Sequence, residues 1–151
     1  MISKFINILL VEDNPDDVEL TLHALEKNNI ANPVKVVRDG QEALDYLFYK
    51  GKYELSDHEL PHVILLDLKL PKVDGIEVLQ RIKADRKTKL LPVVVLTSSK
   101  QESDILKSYD LGVNSYIRKP VDFDQFVDTV KHIGFYWMLI NENPRVSPGE
   151  K

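Results

Sequence analysis

Cysteine is absent from this chain of 151 residues, which excludes disulfide bonds and metal sites built on thiolates. The four histidines do not recur at the spacing of metal ligands. A basic excess is also missing, because 20 Lys and Arg residues face 24 Asp and Glu residues, for a net charge of -4. Nucleic acid is therefore not expected as a direct partner.

Long apolar runs are missing as well. No stretch reaches the roughly 20 apolar residues that a membrane-spanning helix needs. The first residues, Met1 to Lys4, lack the apolar segment of a secretory signal peptide. We therefore expect a cytoplasmic protein with no membrane partner. The composition, 43% hydrophobic and 29% charged, is that of one globular domain with a sizeable core.

Short apolar segments alternate along the chain with segments of helical spacing. The predicted strands cover residues 6–11, 33–37, 63–66, 92–96 and 115–117. The predicted helices begin at Asn14-Pro15, at Gly40, at Asp74-Gly75, before Ile105 and at Asp122, and the fourth ends at Gly112 in a left-handed C-cap. Between the second helix and the third strand, residues 50–61 are predicted only as a polar connection.

This alternation predicts an α/β fold with a parallel sheet and five flanking helices. Right-handed crossovers with helices on both faces favour an open doubly wound sheet. The flavodoxin-like strand order 2-1-3-4-5 is the common choice for five strands, and it places a crevice where strands 1 and 3 diverge.

Three acids follow the two strands beside that crevice. Glu12 and Asp13 come after the first strand, and Asp67 comes directly after the third. Adjacent parallel strands lie about 5 Å apart, so these carboxylates are expected close together at the carboxyl edge of the sheet. Three converging carboxylates repel one another. A hard divalent cation resolves that repulsion, and the sequence therefore predicts a Mg2+ site.

A hydroxyl and an ammonium group are predicted at the same edge. Thr97 follows the fourth strand and Lys119 follows the fifth. With Asp67 as nucleophile and a metal ion, they complete the groups that phosphoryl transfer requires. Each residue alone has a simpler interpretation, as a loop acid, a strand residue or a solvated lysine. Asp16 and Asp17 receive that simpler interpretation, as acids at a helix start.

The sequence resembles the receiver domain of two-component response regulators. The residues that carry the resemblance are Glu12-Asp13, Asp67 within Leu65-Leu66-Asp67-Leu68-Lys69-Leu70-Pro71, Asp74-Gly75, Thr97-Ser98 and Tyr116-Ile117-Arg118-Lys119-Pro120. The match spans roughly residues 5–135. It implies that Asp67 takes a phosphoryl group from a phosphohistidine on a sensor histidine kinase and becomes a 4-aspartylphosphate. The protein would then be a signalling phosphoacceptor that promotes its own phosphorylation and dephosphorylation, rather than an enzyme.

The resemblance also implies a ligand set for Mg2+. Asp13 and Asp67 would bind the ion directly, and Glu12 would act partly through water. The backbone carbonyl of Lys69 would be a further ligand. The side chains of Lys69 and Ser99 border the path of a hydrolytic water, so they are expected to tune the lifetime of the phosphorylated state.

The implied phosphoryl contacts come from the fourth and fifth strands. Thr97, Lys119 and the backbone N–H of Ser98 would hold the phosphoryl oxygens. The bond before Pro120 would be cis, which an X-Pro bond permits at low cost. Thr97 would swing toward the phosphoryl group and Tyr116 would fill the space, so that the surface made by the fourth helix, fifth strand and fifth helix changes. A static, half-buried Tyr116 is the simpler alternative.

The C-terminal region is unusually apolar before a polar end. Residues 1–140 are predicted as the receiver and residues 141–151 as a short flexible tail with no output domain. The last predicted helix carries apolar residues on nearly all of its faces. This pattern indicates either that the residues facing away from the sheet are modestly exposed or that they form a docking face. We expect a homodimer through the side made by the fourth helix, fifth strand and fifth helix. The predicted interface residues are Phe126, Phe135, Tyr136, Trp137, Met138 and Ile140.

The long connection before the third strand and the aromatic C-terminal region also resemble the small regulators paired with phytochrome-type histidine kinases. Three other functions fit the sequence less well. A Mg2+-dependent phosphatase would need a second Asp where this chain has Lys69, and a flavin-binding module would need a Ser/Thr/Gly-rich loop where it has Glu12 to Pro15. An interaction domain that works without phosphorylation would typically have lost Asp67 or Lys119, and both are present.

Overall fold

The computed structural model describes residues 7–27, 33–97, 101, 107, 109–113 and 115–118. Its strands are β1 (Ile8–Val11), β2 (Val34–Val37), β3 (Val63–Leu66), β4 (Val93–Thr97) and β5 (Ser115–Arg118). Its helices are α1 (Pro15–Lys27), α2 (Gly40–Phe48) and α3 (Gly75–Ala84), with a short 3-10 helix at Gly51–Tyr53. Within these residues, no helix has the length and apolar character needed to cross a membrane.

The five strands form one parallel sheet in the order β2-β1-β3-β4-β5. This confirms the predicted strand order. Val11, the last residue of β1, pairs with Val37 on one side and with Leu66 on the other. The carboxyl ends of β1, β2 and β3 are therefore level with one another, so the residues that follow them meet at one edge of the sheet.

β1 and β3 are buried on both faces, as their uninterrupted apolar sequences predict. Because side chains alternate along a strand, each strand contributes to two cores. Leu9 and Ile64 pack with residues of α2 and α3, whereas Leu10 and Leu65 pack with residues of α1. All four side chains are at most 1% exposed, so the central strands are fixed from both sides.

The helix starts follow the capping residues of the sequence. The Asn14 side chain accepts hydrogen bonds from the backbone N–H groups of Asp16 (2.8 Å) and Asp17 (3.2 Å). Asp39 and Asp74 cap α2 and α3 by accepting from the N–H three residues on, at 2.7 and 3.1 Å. The predicted starts of these three helices are thus confirmed.

The predicted left-handed residue at the end of the fourth helix is also confirmed. Gly112 has a φ of 82°, and its N–H donates to the carbonyl of Tyr109 at 3.0 Å. Residues 107, 109 and 110 are helical. The remainder of the fourth helix and the fifth helix, predicted to begin at Asp122, lie outside the described residues.

The connection between α2 and β3 is more ordered than its polar sequence indicates. The ring of His58 stacks between Tyr46 and Tyr49, with centroid distances of 3.9 and 4.5 Å. Its Nε2 lies 2.9 Å from the Tyr46 carbonyl, and since a carbonyl only accepts, Nε2 carries the proton. Tyr53, 8% exposed, contacts the same ring edge-on. The connection therefore packs against α2 as a structured unit.

Glu42 of α2 links this connection to the helix. Its Oε2 accepts from the Tyr53 hydroxyl at 2.7 Å and lies 3.3 Å from the Lys52 ammonium, while Oε1 accepts from the N–H of Arg38 at 3.1 Å. Partial burial alone would raise the pKa of Glu42, but the hydrogen bonds outweigh it and hold the pKa below its ordinary value. The carboxylate form is therefore stabilised by folding.

We predict that Glu42→Gln lowers the free energy of unfolding by about 1 kcal/mol at neutral pH, because the charge-assisted hydrogen bonds weaken. Since the folded-state pKa of Glu42 is depressed, its contribution is present above the unfolded-state pKa and is lost as the pH falls through the folded-state value. Urea unfolding on both sides of pH 4.5, the ordinary pKa, measures this. The difference between wild type and variant should shrink in acid, whereas exposed Glu54→Gln should show none; an equal difference at every pH would contradict the prediction.

Candidate functional site

The backbone places Glu12 and Asp67 side by side at the carboxyl edge of the sheet. The N–H of Asp67 donates to the carbonyl of Val11 at 3.0 Å, and the N–H of Glu12 donates to the carbonyl of Val37 at 3.0 Å. Both residues therefore remain hydrogen-bonded to the neighbouring strand one position after their own strand ends. Their location follows from the register of the sheet.

The three predicted carboxylates converge. Ligand oxygens of Glu12, Asp13 and Asp67 all lie within 4.8 Å of one another. Glu12 and Asp67 are only 1% and 6% exposed, while Asp13 is exposed to solvent. Burial strengthens the repulsion between like charges because less water screens it. Among the described residues, this is the one group of three or more metal-ligating side chains.

Two backbone donors orient the buried carboxylates. Oδ1 of Asp67 accepts from the N–H of Lys69 at 3.0 Å, and Oε2 of Glu12 accepts from the N–H of Asn14 at 3.3 Å. Each bond offsets part of the cost of burying a charge and fixes the plane of the carboxylate. Neither bond could be predicted from the sequence, because both depend on the tight turns that follow β1 and β3.

The donor set fits a divalent cation. Oxygens on opposite sides of Mg2+ lie about 4 Å apart, twice its metal–oxygen distance of about 2.0–2.1 Å, and those around Ca2+ lie slightly farther apart. A group of carboxylate oxygens within 4.8 Å of one another needs only small side-chain adjustments to share such an ion. Hard oxygen ligands without sulfur or nitrogen favour cations of this class.

A cleft of about 430 Å³ opens beside Asp13. Its lining residues are Asp13, Leu68, Lys69, Leu70, Pro71, Asp74, Ile76 and Lys107. Lysines from two different elements, Lys69 and Lys107, therefore face the same cleft as Asp13. Sequence reasoning missed Lys107, which belongs to the predicted fourth helix and carries no motif of its own.

Tyr116 lies on its predicted strand, and Thr97, predicted to follow the fourth strand, is part of that strand. Thr97 is the last residue of β4 and pairs with Arg118 of β5, so it lies two residues beyond Val95, the partner of Leu66. Tyr116 pairs with Val95 in the middle of β5. Ser98, Ser99, Lys119, Pro120 and the predicted interface residues from Phe126 to Ile140 lie outside the described residues.

Gly75 lies at the site, where the sequence indicated a helix start and part of the receiver motif. A Cβ on Gly75 would lie 2.5 Å from the carbonyl oxygen of Asp67 and 2.4 Å from the Cα of Leu68. Its N–H donates to the carbonyl of Leu68 at 2.9 Å. Because glycine is unfavourable inside a helix, its place in the first turn of α3 was the available signal of this close approach.

A model of the response regulator receiver domain matches residues 8–131. The chain belongs to this family. Receivers are signalling phosphoacceptors of two-component systems rather than classical enzymes, and they bind divalent metal. Membership of this family favours the predicted function over that of a phosphatase or a flavin-binding module. The cluster of Glu12, Asp13 and Asp67 is consistent with a metal and phosphorylation site.

Two curated relatives match the receiver over most of their length. It is 43% identical over 137 residues to the probable methanogenesis regulatory protein FilR2 of Methanothrix harundinacea, covering 91% of this chain and 86% of FilR2. It is 42% identical over 131 residues to the response regulator Rcp1 of Synechocystis sp., covering 87% of this chain and 88% of Rcp1.

Solved structures give the same family. The bacteriophytochrome response regulator RtBRR is 53% identical with a TM-score of 0.77, covering 87% of this chain and 79% of RtBRR. The phosphorylated cyanobacterial phytochrome response regulator RcpA is 46% identical with a TM-score of 0.77, covering 89% and 95%. The Mn(2+)-bound form of Rcp1 is 41% identical with a TM-score of 0.76, covering 87% and 94%.

We predict that Asp13→Asn has opposite effects on stability without and with a divalent cation. Without the cation, removing one of three like charges should raise the free energy of unfolding by about 1 kcal/mol. Saturating Mg2+ stabilises a protein that binds it by about 2.7 kcal/mol at 100 times the Kd, and most of that gain should disappear in the variant. Urea unfolding with and without Mg2+ measures both effects.

The control is Asp16→Asn, which removes an exposed acid at the start of α1 outside the cluster. It should keep the full stabilisation by Mg2+. An equal gain from Mg2+ in wild type and Asp13→Asn would contradict the assignment of Asp13 to the cation site.

Proposed function

We propose that Asp67 of this receiver accepts a phosphoryl group from a histidine kinase and becomes a 4-aspartylphosphate. The observation that carries the proposal is the convergence of Glu12, Asp13 and Asp67 within 4.8 Å. Asp13 and Asp67 are the proposed direct ligands of Mg2+, with Glu12 acting partly through water and the Lys69 carbonyl as a further ligand. The bound ion supplies positive charge for the carboxylates and for the incoming phosphoryl oxygens.

The geometry around Asp67 suits a nucleophilic carboxylate. In the proposed step a carboxylate oxygen of Asp67 forms the new bond to phosphorus, and the phosphorus–nitrogen bond of the phosphohistidine breaks. The imidazole leaves with the electron pair and takes a proton. The hydrogen bond from the Lys69 N–H to Oδ1 holds the carboxylate plane before the donor arrives, which lowers the cost of orienting it.

The remaining roles are proposals that rest on family membership and on strand position. Thr97 and Lys119 are proposed to hold the phosphoryl oxygens together with the N–H of Ser98. The end of β4 at Thr97 and the end of β5 at Arg118 support this, because both strands lead to the same sheet edge as β3. Thr97 and Tyr116 are proposed as the switch pair, which changes the surface of the fourth helix, fifth strand and fifth helix.

The proposed boundaries are residues 1–140 for the receiver and 141–151 for a C-terminal tail. The match to the receiver family over residues 8–131 supports the first boundary. In this proposal the receiver passes its signal by binding a partner through the changed surface.

The proposed kinase partner is of the phytochrome type. The names of RtBRR and RcpA, at 53% and 46% identity, associate those regulators with phytochromes. FilR2, at 43% identity, is named as a probable methanogenesis regulatory protein and not as a phytochrome regulator, so phosphoryl transfer from the kinase must be measured directly. The structured connection between α2 and β3, with His58 stacked between two tyrosines, is a feature to compare among these regulators.

We predict that incubation with Mg2+ and a small phosphodonor adds one phosphoryl group, seen by intact mass. Asp67→Asn or removal of the metal should abolish the adduct, because the nucleophile or the neutralising charge is lost. A phosphorylated phytochrome-type kinase should transfer to the wild type faster than an unrelated histidine kinase does.

Asp57→Asn is the matched control, since Asp57 is exposed in the α2–β3 connection, and it should be phosphorylated like the wild type. If no donor or kinase produced an adduct, the chain would be an interaction domain that works without phosphorylation.

We further propose a homodimer through the side made by the fourth helix, fifth strand and fifth helix. The apolar sequence around Phe126, Phe135, Tyr136, Trp137, Met138 and Ile140 supports it, because aromatic residues and methionine are enriched at association surfaces. Light scattering with and without a phosphoryl mimic should give a dimer mass in both states or a mass increase on addition. A monomer in both states would contradict the proposal.

A further inference from the structure

The start of α2 lies directly against the loop that follows Asp67. The N–H of Gly40 donates to the carbonyl of Pro71 at 3.2 Å. A Cβ on Gly40 would lie 1.8 Å from the carbonyl oxygen of Val73 and 2.6 Å from its carbonyl carbon. Both atoms belong to the backbone, so no side-chain rotation relieves the overlap.

Gly75 closes the same loop at its other end. The N–H of Gly75 bonds to the carbonyl of Leu68, and its Cα leaves no room for a Cβ beside the carbonyl oxygen of Asp67. Residues 68–75 thus form a tight loop that both begins and ends beside Asp67, the proposed phosphoacceptor. The middle of the loop, at Pro71 and Val73, contacts Gly40. Moving the middle of this loop therefore moves its ends.

Lys72 is the strained residue of this loop. Its φ of 70° is left-handed, which costs a non-glycine residue of order 1 kcal/mol and persists only where neighbours impose it. Its ammonium lies 3.7 Å from Asp39, but 68% of the Lys72 side chain is exposed, so the ion pair contributes little. Lys72 stands between Pro71 and Val73, the two residues in contact with Gly40, and that contact is what holds the strained turn.

We infer that Gly40 is a positioning residue for the phosphoacceptor, acting through the loop to hold the Lys69 backbone and the Asp67 carboxylate in place for the cation and the phosphoryl group. This inference rests on the proposed function of Asp67. Since real Cβ contacts essentially never fall below 3.0 Å, an added methyl group must displace the loop or the helix by about 1 Å, and a shift of that size costs up to about 10²-fold in rate.

Gly40→Ala tests the inference, with Ala43→Gly as the matched control. Ala43 is fully buried one turn along the same helix, and its substitution destabilises α2 without adding an atom beside the loop. Three quantities are measured: Mn2+ affinity by electron paramagnetic resonance, amide hydrogen exchange at Lys69 and Gly75, and the rate of phosphorylation by a small donor.

Gly40→Ala should weaken Mn2+ binding about tenfold, slow phosphorylation by about 10- to 100-fold and speed exchange at both amides, in line with an ångström-scale shift of the loop. Ala43→Gly should lower stability yet keep Mn2+ affinity within about twofold, because it leaves the loop seated on Gly40. Equal Mn2+ affinity, rate and exchange in Gly40→Ala and wild type would overturn the inference.

Val73→Ala decides the question if Gly40→Ala does not fold. Val73 is partly buried and packs against the core cluster. Its truncation therefore weakens the packing that holds the loop in place, and it adds no atom that could clash with the loop or with α2. It should weaken Mn2+ binding about threefold and speed exchange at Lys69; no change in either would overturn the inference. If the wild type itself bound no Mn2+ and took no phosphoryl group, the proposed function would fail, while amide exchange would still test the contact at Gly40.

Discussion

Mutual repulsion among three carboxylates is the constraint around which the carboxyl edge of the sheet is organised. Glu12 and Asp67 are nearly buried and share the site with Asp13, and the repulsion among their charges costs free energy that positive charge or hydrogen-bond donors must offset. The sheet tolerates this cost because β1 and β3 are packed on both faces. A slip of one residue in either strand would move each apolar side chain into the opposite core and carry the acid after that strand out of line with the others, so the register that packs the strands also fixes the acids.

The register of the strands explains how much of the site was predictable from the sequence. An apolar run in the sequence predicts each strand. Because the carboxyl ends of parallel strands lie at a common edge, the sequence alone predicts that Glu12, Asp13 and Asp67 lie together. The caps Asn14 and Asp74 and the left-handed Gly112 were predictable for a different reason. They depend only on local hydrogen bonds and backbone sterics. Local rules and strand order together give the fold and the acidic cluster.

Contacts between segments distant in sequence were not predictable from the chain. The stacking of His58 between Tyr46 and Tyr49 joins α2 to the connection before β3, whose sequence is largely polar. The contact between Gly40 and Val73 depends on how α2 and the loop after β3 pack, which no periodicity encodes. The left-handed Lys72 has no sequence signal, since lysine does not favour that conformation. All three arise from tertiary packing.

We propose that the edge of the sheet binds one divalent cation between β1 and β3, where the ion would prepare Asp67 for phosphorylation. Anomalous diffraction from crystals grown with Mn2+ tests this directly. We expect a single strong peak within coordination distance of Asp13 and Asp67 and of the Lys69 carbonyl. A fully soaked crystal with no peak at the cluster, or with the peak elsewhere on the protein, would contradict it.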